Sequence, residues 1–226
     1  MTLRQINNIA QGTDAWLDMR RGIVTASVVG QLITTKTIKP AANDYSRGLT
    51  MTLVAERITG YTEPVYVNAD MERGNMDEPI ARDAYSRFVG KPVEEIGFMV
   101  RDDWGHRLGY SPDGLVGDDG LIEIKSRRQK KHLSTILADE VPPENMAQIQ
   151  MGLLVSGRDW CDYVSYSGGM PLYVKRVNPD GRWFDAIVEA VGMFEANAAQ
   201  MVATYAERTD GLPATIRESY DIEMVI

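Results

Sequence analysis

The chain of 226 residues is poor in the side chains that build disulfides and soft-metal sites, because it has one cysteine and two histidines. A single cysteine excludes a disulfide framework, a multi-cysteine zinc site and an iron–sulfur cluster held by one chain. Cys161 lies in an apolar run typical of a strand, which favours a core position over a nucleophile. His106 and His132 lack the spacing of a metal-binding pair, so we assign neither a role.

Long hydrophobic runs are also missing. No stretch of about 18 consecutive apolar residues occurs, which argues against a membrane span. Residues 1–8 contain no apolar core of signal-peptide length. We therefore expect a cytoplasmic location and no membrane partner.

Positive charge is scarce, since 24 Lys and Arg face 32 Asp and Glu, giving a net charge of −8. This balance argues against attraction of nucleic acid to the whole surface, so a nucleic-acid substrate requires a local concentration of basic residues. One short stretch provides it, with Lys125, Arg127, Arg128, Lys130 and Lys131. A solvated basic turn is the simple interpretation, but the carboxylates beside this stretch favour phosphate binding.

Those carboxylates belong to the segment around which the chain is organised, SPDGL at residues 111–115 followed by GLIEIK at 120–125. The glycines and aspartates between the two pieces are typical of a tight hairpin. Side chains alternate along a strand, so Glu123 and Lys125 are predicted on one face, with Asp113 across the hairpin. Unpaired burial of such charges is costly, which indicates a polar site.

The residue types at this hairpin favour a hard metal ion. Asp113 and Glu123 offer oxygen donors without His or Cys alongside, which suits Mg²⁺ or Mn²⁺ better than Zn²⁺. The main-chain carbonyl of Ile124 is a further candidate ligand, and Lys125 can orient a water and offset charge on a phosphate. The set predicts metal-assisted phosphodiester hydrolysis. A strand-edge salt bridge between Glu123 and Lys125 is the open alternative.

A second polar cluster is predicted near a helix start. Arg20, Arg21, Thr25 and Ser27 combine guanidinium groups, hydroxyls and free backbone N–H groups, which suits an anion. Helix capping with a surface arginine explains the same residues equally well.

Apolar periodicity predicts the remaining elements. We expect helices over residues 15–21, 44–59, 69–89, 133–137, 142–155 and 183–208, and strands over 93–100, 106–110, 160–166 and 172–177. The order is helices, a mainly antiparallel sheet with interposed helices, and a closing helix. It predicts a single α/β domain over residues 1–226, with the site at the sheet.

The 69–89 helix carries a proline that predicts a break. Pro79 suggests an interruption or a new first turn, and Glu78 stands at that point. Glu78 is either a first-turn glutamate favoured by the helix dipole or a third metal-site acid. The residues expected to face inward are Met76, Ile80, Ala84, Tyr85 and Phe88.

Four blocks in this order resemble the phage lambda exonuclease family. They are residues 15–27, 74–78, 111–125 and 146–150. The family comprises viral-recombinase, YqaJ-like alkaline exonucleases of the restriction-endonuclease-like PD-(D/E)XK superfamily. The resemblance implies a restriction-endonuclease-like core, with a central mixed sheet flanked by helices.

The resemblance also implies roles around the hairpin. Asp113 and Glu123 resemble the metal-binding acids, with the main chain at Ile124 as a further ligand. Lys125 resembles the lysine that positions the attacking water. In the family, Mg²⁺ is the metal, and two ions per site are expected.

Further positions match the family pattern. Glu78 resembles the helical glutamate near the second metal, and Gln148 resembles the glutamine of a later helix close to the active centre. Arg20 resembles the arginine that holds the 5′-phosphate of the strand being cut. Ser27 and Ser111 are the corresponding hydroxyl donors to phosphate.

The activity implied is digestion of one strand of linear duplex DNA, 5′ to 3′, from a 5′-phosphorylated end. A homotrimeric ring around DNA and a single-strand annealing protein as partner in phage-type recombination are further expectations, in a bacterial host. One departure concerns the residue after Ser126, where the family pattern has proline and this chain has Arg127.

Two alternatives are a related nuclease with endonuclease or single-strand activity, and a DNA-binding protein with a dead site. The intact set of Asp113, Glu123 and Lys125 argues against a dead site.

Overall fold

The computed structural model describes residues 3–64 and 66–217. The predicted domain over 1–226 also includes residues 1, 2, 65 and 218–226, which lie outside the described residues. The helices are α1 Asp14–Arg20, α2 Ala26–Val29, α3 Asp44–Thr59, α4 Ala69–Val89, α5 Gln129–Ala138, α6 Pro143–Ser156 and α7 Gly181–Thr209. The strands are β1 Arg4–Ile6, β2 Val24–Thr25, β3 Ile33–Thr34, β4 Lys39–Pro40, β5 Val93–Glu94, β6 Phe98–Arg101, β7 Leu108–Tyr110, β8 Gly114–Val116, β9 Gly120–Ser126, β10 Trp160–Tyr166 and β11 Tyr173–Val177.

The central sheet has five strands in the order β11-β10-β9-β8-β5. The β9–β10 pair is parallel, whereas the other neighbours are antiparallel, so the sheet is mixed. A second sheet of four strands has the order β1-β6-β7-β2. The predicted hairpin is present as β8 and β9, and it lies inside the central sheet.

Helices cover both faces of the central sheet. On one face Ala81 and Tyr85 of α4 pack against Ile122 and Ile124 of β9. On the other face a larger core joins α3, α6 and α7 to the sheet and contains the buried Cys161. The predicted α/β class, with a central mixed sheet flanked by helices, is confirmed, and Cys161 is a core residue.

The predicted break at Pro79 is wrong, because α4 runs without interruption from Ala69 to Val89. Proline removes one helical hydrogen bond, and the carbonyl that loses it belongs to Asn75, which is exposed to solvent. Contacts with β9 hold both halves of the helix in line. Asp77 accepts a hydrogen bond from Ser126 before the proline, and Tyr85 packs on the sheet after it.

The inward face of α4 was also predicted wrongly in part. Met76, Ile80 and Phe88 have exposed fractions of 68%, 52% and 72%. Tyr85 is buried as expected, together with Ala81. Apolar residues lie on two sides of this helix, and periodicity alone did not identify the side that meets the sheet.

The strand predicted over residues 93–100 is two strands in different sheets. β5 pairs with β8, whereas β6 pairs with β1 and β7. The chain turns at Gly97, where a Cβ would lie 2.2 Å from the carbonyl oxygen of Ile9. Only glycine fits this close approach of two backbone segments.

Most of the other predicted bounds lie within two residues of the observed ones. α3 has the predicted limits, because a capping box at Asn43 begins it and the left-handed Gly60 ends it. α5 begins four residues earlier than predicted, at Gln129. No helix within residues 3–64 and 66–217 has both the length and the apolar content needed to cross a membrane.

Candidate active site

The β8–β9 hairpin brings the two predicted acids to one edge of the sheet. β8 begins at Gly114, which pairs with Ile122, and β9 continues beyond this pair to Ser126. Asp113 directly precedes β8, and its carboxylate lies beside Ile124 of β9. The Ile124 N–H donates to Asp113 Oδ2 at 2.6 Å. The N–H and C=O groups of one strand residue point to the same side, so the Ile124 carbonyl faces this edge too.

Glu123 and Lys125 lie side by side on one face of β9. Lys125 Nζ is 2.6 Å from Glu123 Oε1, so the salt bridge considered as an alternative is present. Glu123 is fully buried, and its second oxygen, Oε2, has no hydrogen-bond partner among the described residues. A buried carboxylate oxygen without a partner is costly, so it favours a ligand at this point.

Burial and mutual charge shift the titration of all three groups. Burial raises the pKa of Glu123, and the nearby Asp113 raises it further. Burial also raises the pKa of Asp113. Burial lowers the pKa of Lys125, but the Glu123 and Asp113 carboxylates outweigh this effect and raise the pKa above its ordinary value. The site is therefore an acid pair with one ammonium, all largely withdrawn from water.

Glu78 lies near this edge but is held by another side chain. Arg82, one turn further along α4, forms a salt bridge with it. Arg82 also contacts Glu95 Oε2 at 2.8 Å and donates to the Asp113 main-chain carbonyl at 2.8 Å. Burial and the charge of Asp113 raise the pKa of Glu78 to about 7.

The three predicted acids therefore do not form one cluster in this structure. Within the described ranges, no group of three or more His, Cys, Asp or Glu side chains is arranged to hold a metal ion. Asp113 and Glu123 come together, whereas Glu78 points to Arg82. Sequence reasoning missed Arg82, although its spacing of four residues from Glu78 is typical of a helical ion pair.

Three residues of the predicted polar cluster, Arg20, Thr25 and Ser27, form a connected group with Trp16 and Ser111, which we call the arginine clamp. Arg21, the fourth predicted residue, pairs with Asp18 instead. Arg20 Nη2 donates to Thr25 Oγ1 at 3.2 Å and to Ser27 Oγ at 3.1 Å. The guanidinium lies 4.2 Å from the centre of the Trp16 ring, whose Nε1 donates to Ser111 Oγ at 2.9 Å. Trp16 was missed as a site residue, and the signal for it was its position one turn before Arg20.

One cavity runs along the arginine clamp and reaches residues beside the acid edge. It has a volume of about 1420 Å³, and its lining includes Arg20, Thr25, Glu78, Arg82 and Pro112. Pro112 stands in the chain between Ser111 of the clamp and Asp113 of the acid pair, but Asp113, Glu123 and Lys125 are not among the residues that line this cavity. Burial lowers the pKa of Arg20, although Glu56 opposes this shift.

Gln148 lies on α6, whose first turn is tied to the end of β9. Arg127 Nη2 donates to Asn145 Oδ1 at 2.6 Å, and Gln148 follows Asn145 by one helical turn. Gln148 is half-buried. No hydrogen bond between its side chain and the acids is found in the described part of the chain, so its predicted role stays a prediction.

The chain is similar to viral recombinases and to solved exonucleases. Residues 15–159 match the family model described as a YqaJ-like viral recombinase domain. An alkaline exonuclease from Laribacter hongkongensis has 33% identity and a TM-score of 0.79, and the match covers 89% of this chain and 100% of that one. The same values hold for that enzyme solved in complex with dAMP.

A phage-related exonuclease from Haemophilus somnus shares the fold. It has 13% identity and a TM-score of 0.63, with 81% of this chain and 96% of that chain covered. No curated protein matches the chain.

The buried acids predict that the stability of the protein without metal depends on pH. The unfolded chain ionises Glu78 near its ordinary pKa of 4.5, whereas the folded chain keeps it protonated up to about 7. The folded state binds more protons between these values, so the free energy of unfolding in EDTA should fall as the pH rises from about 5 to about 8. Glu78→Gln should reduce this slope by up to one proton, measured by urea unfolding at a series of pH values. Glu72→Gln, on the exposed side of the same helix, is the matched control, and equal slopes for Glu78→Gln and wild type would contradict the prediction.

Proposed function

Because the chain belongs to the YqaJ-like viral recombinase family and is a nuclease of the exonuclease type, we propose that it digests one strand of linear duplex DNA in the 5′-to-3′ direction. The substrate end carries a 5′-phosphate, and the reaction requires Mg²⁺, with Mn²⁺ as a possible replacement. The supporting observation is that Trp16, Arg20 and Thr25 of the arginine clamp line one cavity together with Glu78, Arg82 and Pro112, and Pro112 directly precedes Asp113 of the acid edge.

The donor set at the acid edge fits a hard divalent cation. Glu123 Oε2 is buried and without a hydrogen-bond partner among the described residues, and the Ile124 carbonyl faces the Asp113 carboxylate. All three groups offer oxygen, which suits Mg²⁺ or Mn²⁺. When bound, the ion would supply an activated water and stabilise negative charge on the phosphate. A second ion would use Glu78 after its carboxylate leaves Arg82.

Three protein side chains have further roles in the proposed reaction. Lys125 is fixed by Glu123, so its ammonium can hold the attacking water and offset charge that develops on the phosphate. Arg82 holds the main chain at Asp113, which fixes the distance between the acids. Gln148 is proposed at the border of the same centre, on the helix that Arg127 ties to β9.

The arginine clamp suits recognition of a terminal phosphate. A guanidinium held over the Trp16 ring and bonded to two hydroxyls keeps a fixed position, and the hydroxyls of Thr25, Ser27 and Ser111 can donate to further phosphate oxygens. Holding the terminal phosphate would set the register of the next phosphodiester at the acid edge. The dAMP complex of the Laribacter hongkongensis enzyme supports a site that accepts a deoxynucleoside monophosphate.

Assembly and biological context are part of the same proposal. A homotrimeric ring would let a chain with a net charge of −8 retain DNA by enclosing it, with basic residues needed only along the channel. In a phage-infected or lysogenic bacterial cytoplasm, the single strand left by digestion would pass to a single-strand annealing protein for recombination.

Digestion of defined DNA tests the function directly. Linear duplexes labelled on one strand should lose that strand from its 5′ end in Mg²⁺, faster with a 5′-phosphate than with a 5′-hydroxyl, and EDTA should stop the reaction. Covalently closed circles are the matched substrate and should remain intact. Degradation of closed circles, or digestion from 3′ ends, would exclude the proposed activity.

Replacing the lysine at the acid edge should separate chemistry from binding. Lys125→Ala should lower the cleavage rate by at least about 100-fold, since it removes a charged donor from the transition state, while DNA affinity changes little. Single-turnover rates and anisotropy titrations measure the two effects. Lys175→Ala, which removes an exposed lysine paired with Asp139, is the control. A near-normal rate for Lys125→Ala would remove this residue from the mechanism.

The clamp arginine should determine end preference. Arg20→Ala should reduce the preference for 5′-phosphorylated over 5′-hydroxyl ends by about 10- to 100-fold, because charge-assisted hydrogen bonds to the terminal phosphate are lost. Initial rates on the two substrates give the ratio. Arg21→Ala is the matched control, since Arg21 pairs with Asp18 and does not join the clamp. If Arg20→Ala kept the wild-type ratio, the clamp would have another function.

A further inference from the structure

A second cavity lies where β9 ends, between the Arg73–Asp77 part of α4 and the first turn of α5. Its volume is about 510 Å³, and it shares no lining residue with the cavity that holds the arginine clamp. We call it the basic cleft, and its lining is Arg73, Asp77, Arg127, Arg128, Gln129, Lys130, Ser167 and Gly168.

The basic cleft has an excess of positive charge, although the chain as a whole is negatively charged. Four cationic side chains line it against the one carboxylate of Asp77, in a chain whose net charge is −8. Asp70, just outside the lining, pairs with Arg73 at 2.5 Å and with Arg128 at 2.9 Å. Counting both carboxylates, the region keeps an excess of positive charge.

Several of these cations are available to a ligand. The Arg128–Asp70 pair is exposed on both sides, and such pairs contribute about 0–1 kcal/mol, so an incoming anion can replace it. Lys130 forms no salt bridge within the described residues. Arg127 is less available, because its Nη2 atom donates to Asn145 Oδ1 and its Nε atom is buried.

The cleft is also held rigidly and has free backbone donors. α5 begins after Arg128 without a side-chain cap, so the N–H groups of its first turn add positive potential. His132 on the next turn is buried and bonds Ser165 Oγ at 2.8 Å and the Pro171 carbonyl at 2.9 Å. These bonds fix α5 against β10, so the cationic groups have a set arrangement before any ligand arrives.

The position of the basic cleft relates it to the acid edge. Arg127 follows Lys125 by two residues, which is about 6.6 Å along a strand. Phosphates of one DNA strand advance by about 3.4 Å per nucleotide along the duplex axis. A backbone that reaches the acid edge can therefore pass the cleft within a few nucleotides.

The cavity beside the arginine clamp cannot by itself supply the cationic contacts that a DNA backbone needs. Besides Arg20 and Arg82, its lining carries several acidic residues, namely Asp14, Glu56, Glu63, Glu78 and Glu95. These carboxylates repel a phosphodiester backbone outside the clamp and the metal-binding edge. The duplex needs cationic contacts elsewhere, and the basic cleft provides a set of them beside Lys125.

We propose that the basic cleft is a second backbone subsite, which binds internal phosphates of the DNA substrate and fixes the line along which the duplex approaches the acid edge. This inference rests on the proposed function, because it takes DNA as the substrate. It adds a contact that is separate from recognition of the terminal phosphate by the arginine clamp.

A charge-matched pair of variants tests the subsite. Arg128→Gln with Lys130→Gln removes two cations from the cleft, and Arg182→Gln with Lys91→Gln removes two exposed cations elsewhere. Affinity for a 5′-phosphorylated duplex is measured in EDTA over a series of salt concentrations. The cleft variant should bind several-fold more weakly at low salt and lose about 1–2 from the slope of log K against log salt, since each phosphate contact contributes about 0.9. The control should keep the wild-type slope, and equal slopes for all three proteins would overturn the subsite.

Neutral methylphosphonate links, placed one at a time in the duplex, locate the contact. One or two internal positions should weaken binding by wild type and have little further effect on the cleft variant. Loss confined to the terminal phosphate, or equal losses in both proteins at every position, would overturn the proposal. The comparison needs no cleavage, so a wild type that binds with these differences but does not cut DNA would overturn the proposed function and leave the subsite standing.

Discussion

The hydrogen bond from the Ile124 N–H to the Asp113 carboxylate is the interaction on which the candidate site depends. β8 begins at Gly114, opposite Ile122, and this bond continues the ladder beyond that pair with a side chain in place of a main-chain partner. As a result, the carboxylate, the Ile124 carbonyl and Glu123 meet at one sheet edge. Glu123 is fully buried, and its Oε2 atom has no hydrogen-bond partner among the described residues. The core therefore holds this oxygen in place and leaves it available to a ligand.

Two supports connect this edge to the rest of the fold. Arg82 reaches from α4 to the Asp113 carbonyl and holds Glu78 and Glu95 at the same time. Trp16 reaches from α1 to Ser111 and carries the Arg20 guanidinium on its ring. The acid pair and the clamp are therefore linked through residues 111–113. A substitution of Arg82 or Trp16 should alter the geometry of both groups.

Much of the local structure could be predicted from sequence. The hairpin, the shared face of Glu123 and Lys125, and the limits of α3 follow from alternation, glycine positions and caps, which involve near neighbours along the chain. The continuity of α4 through Pro79 could not be predicted. It depends on contacts of both halves of the helix with β9, and no local rule records such contacts.

The amino-acid sequence dictates which chemical groups are present and how those on one strand or helix turn are spaced, because backbone geometry fixes period two in strands and about 3.6 in helices. It also carried the order of blocks that identifies the family. Three other features arise from packing of the whole chain: α4 faces the sheet with Ala81 and Tyr85, Glu78 pairs with Arg82, and Trp16 bonds Ser111 across 95 residues. These features depend on which surfaces pack together, and the packing energy is shared among residues far apart in the chain.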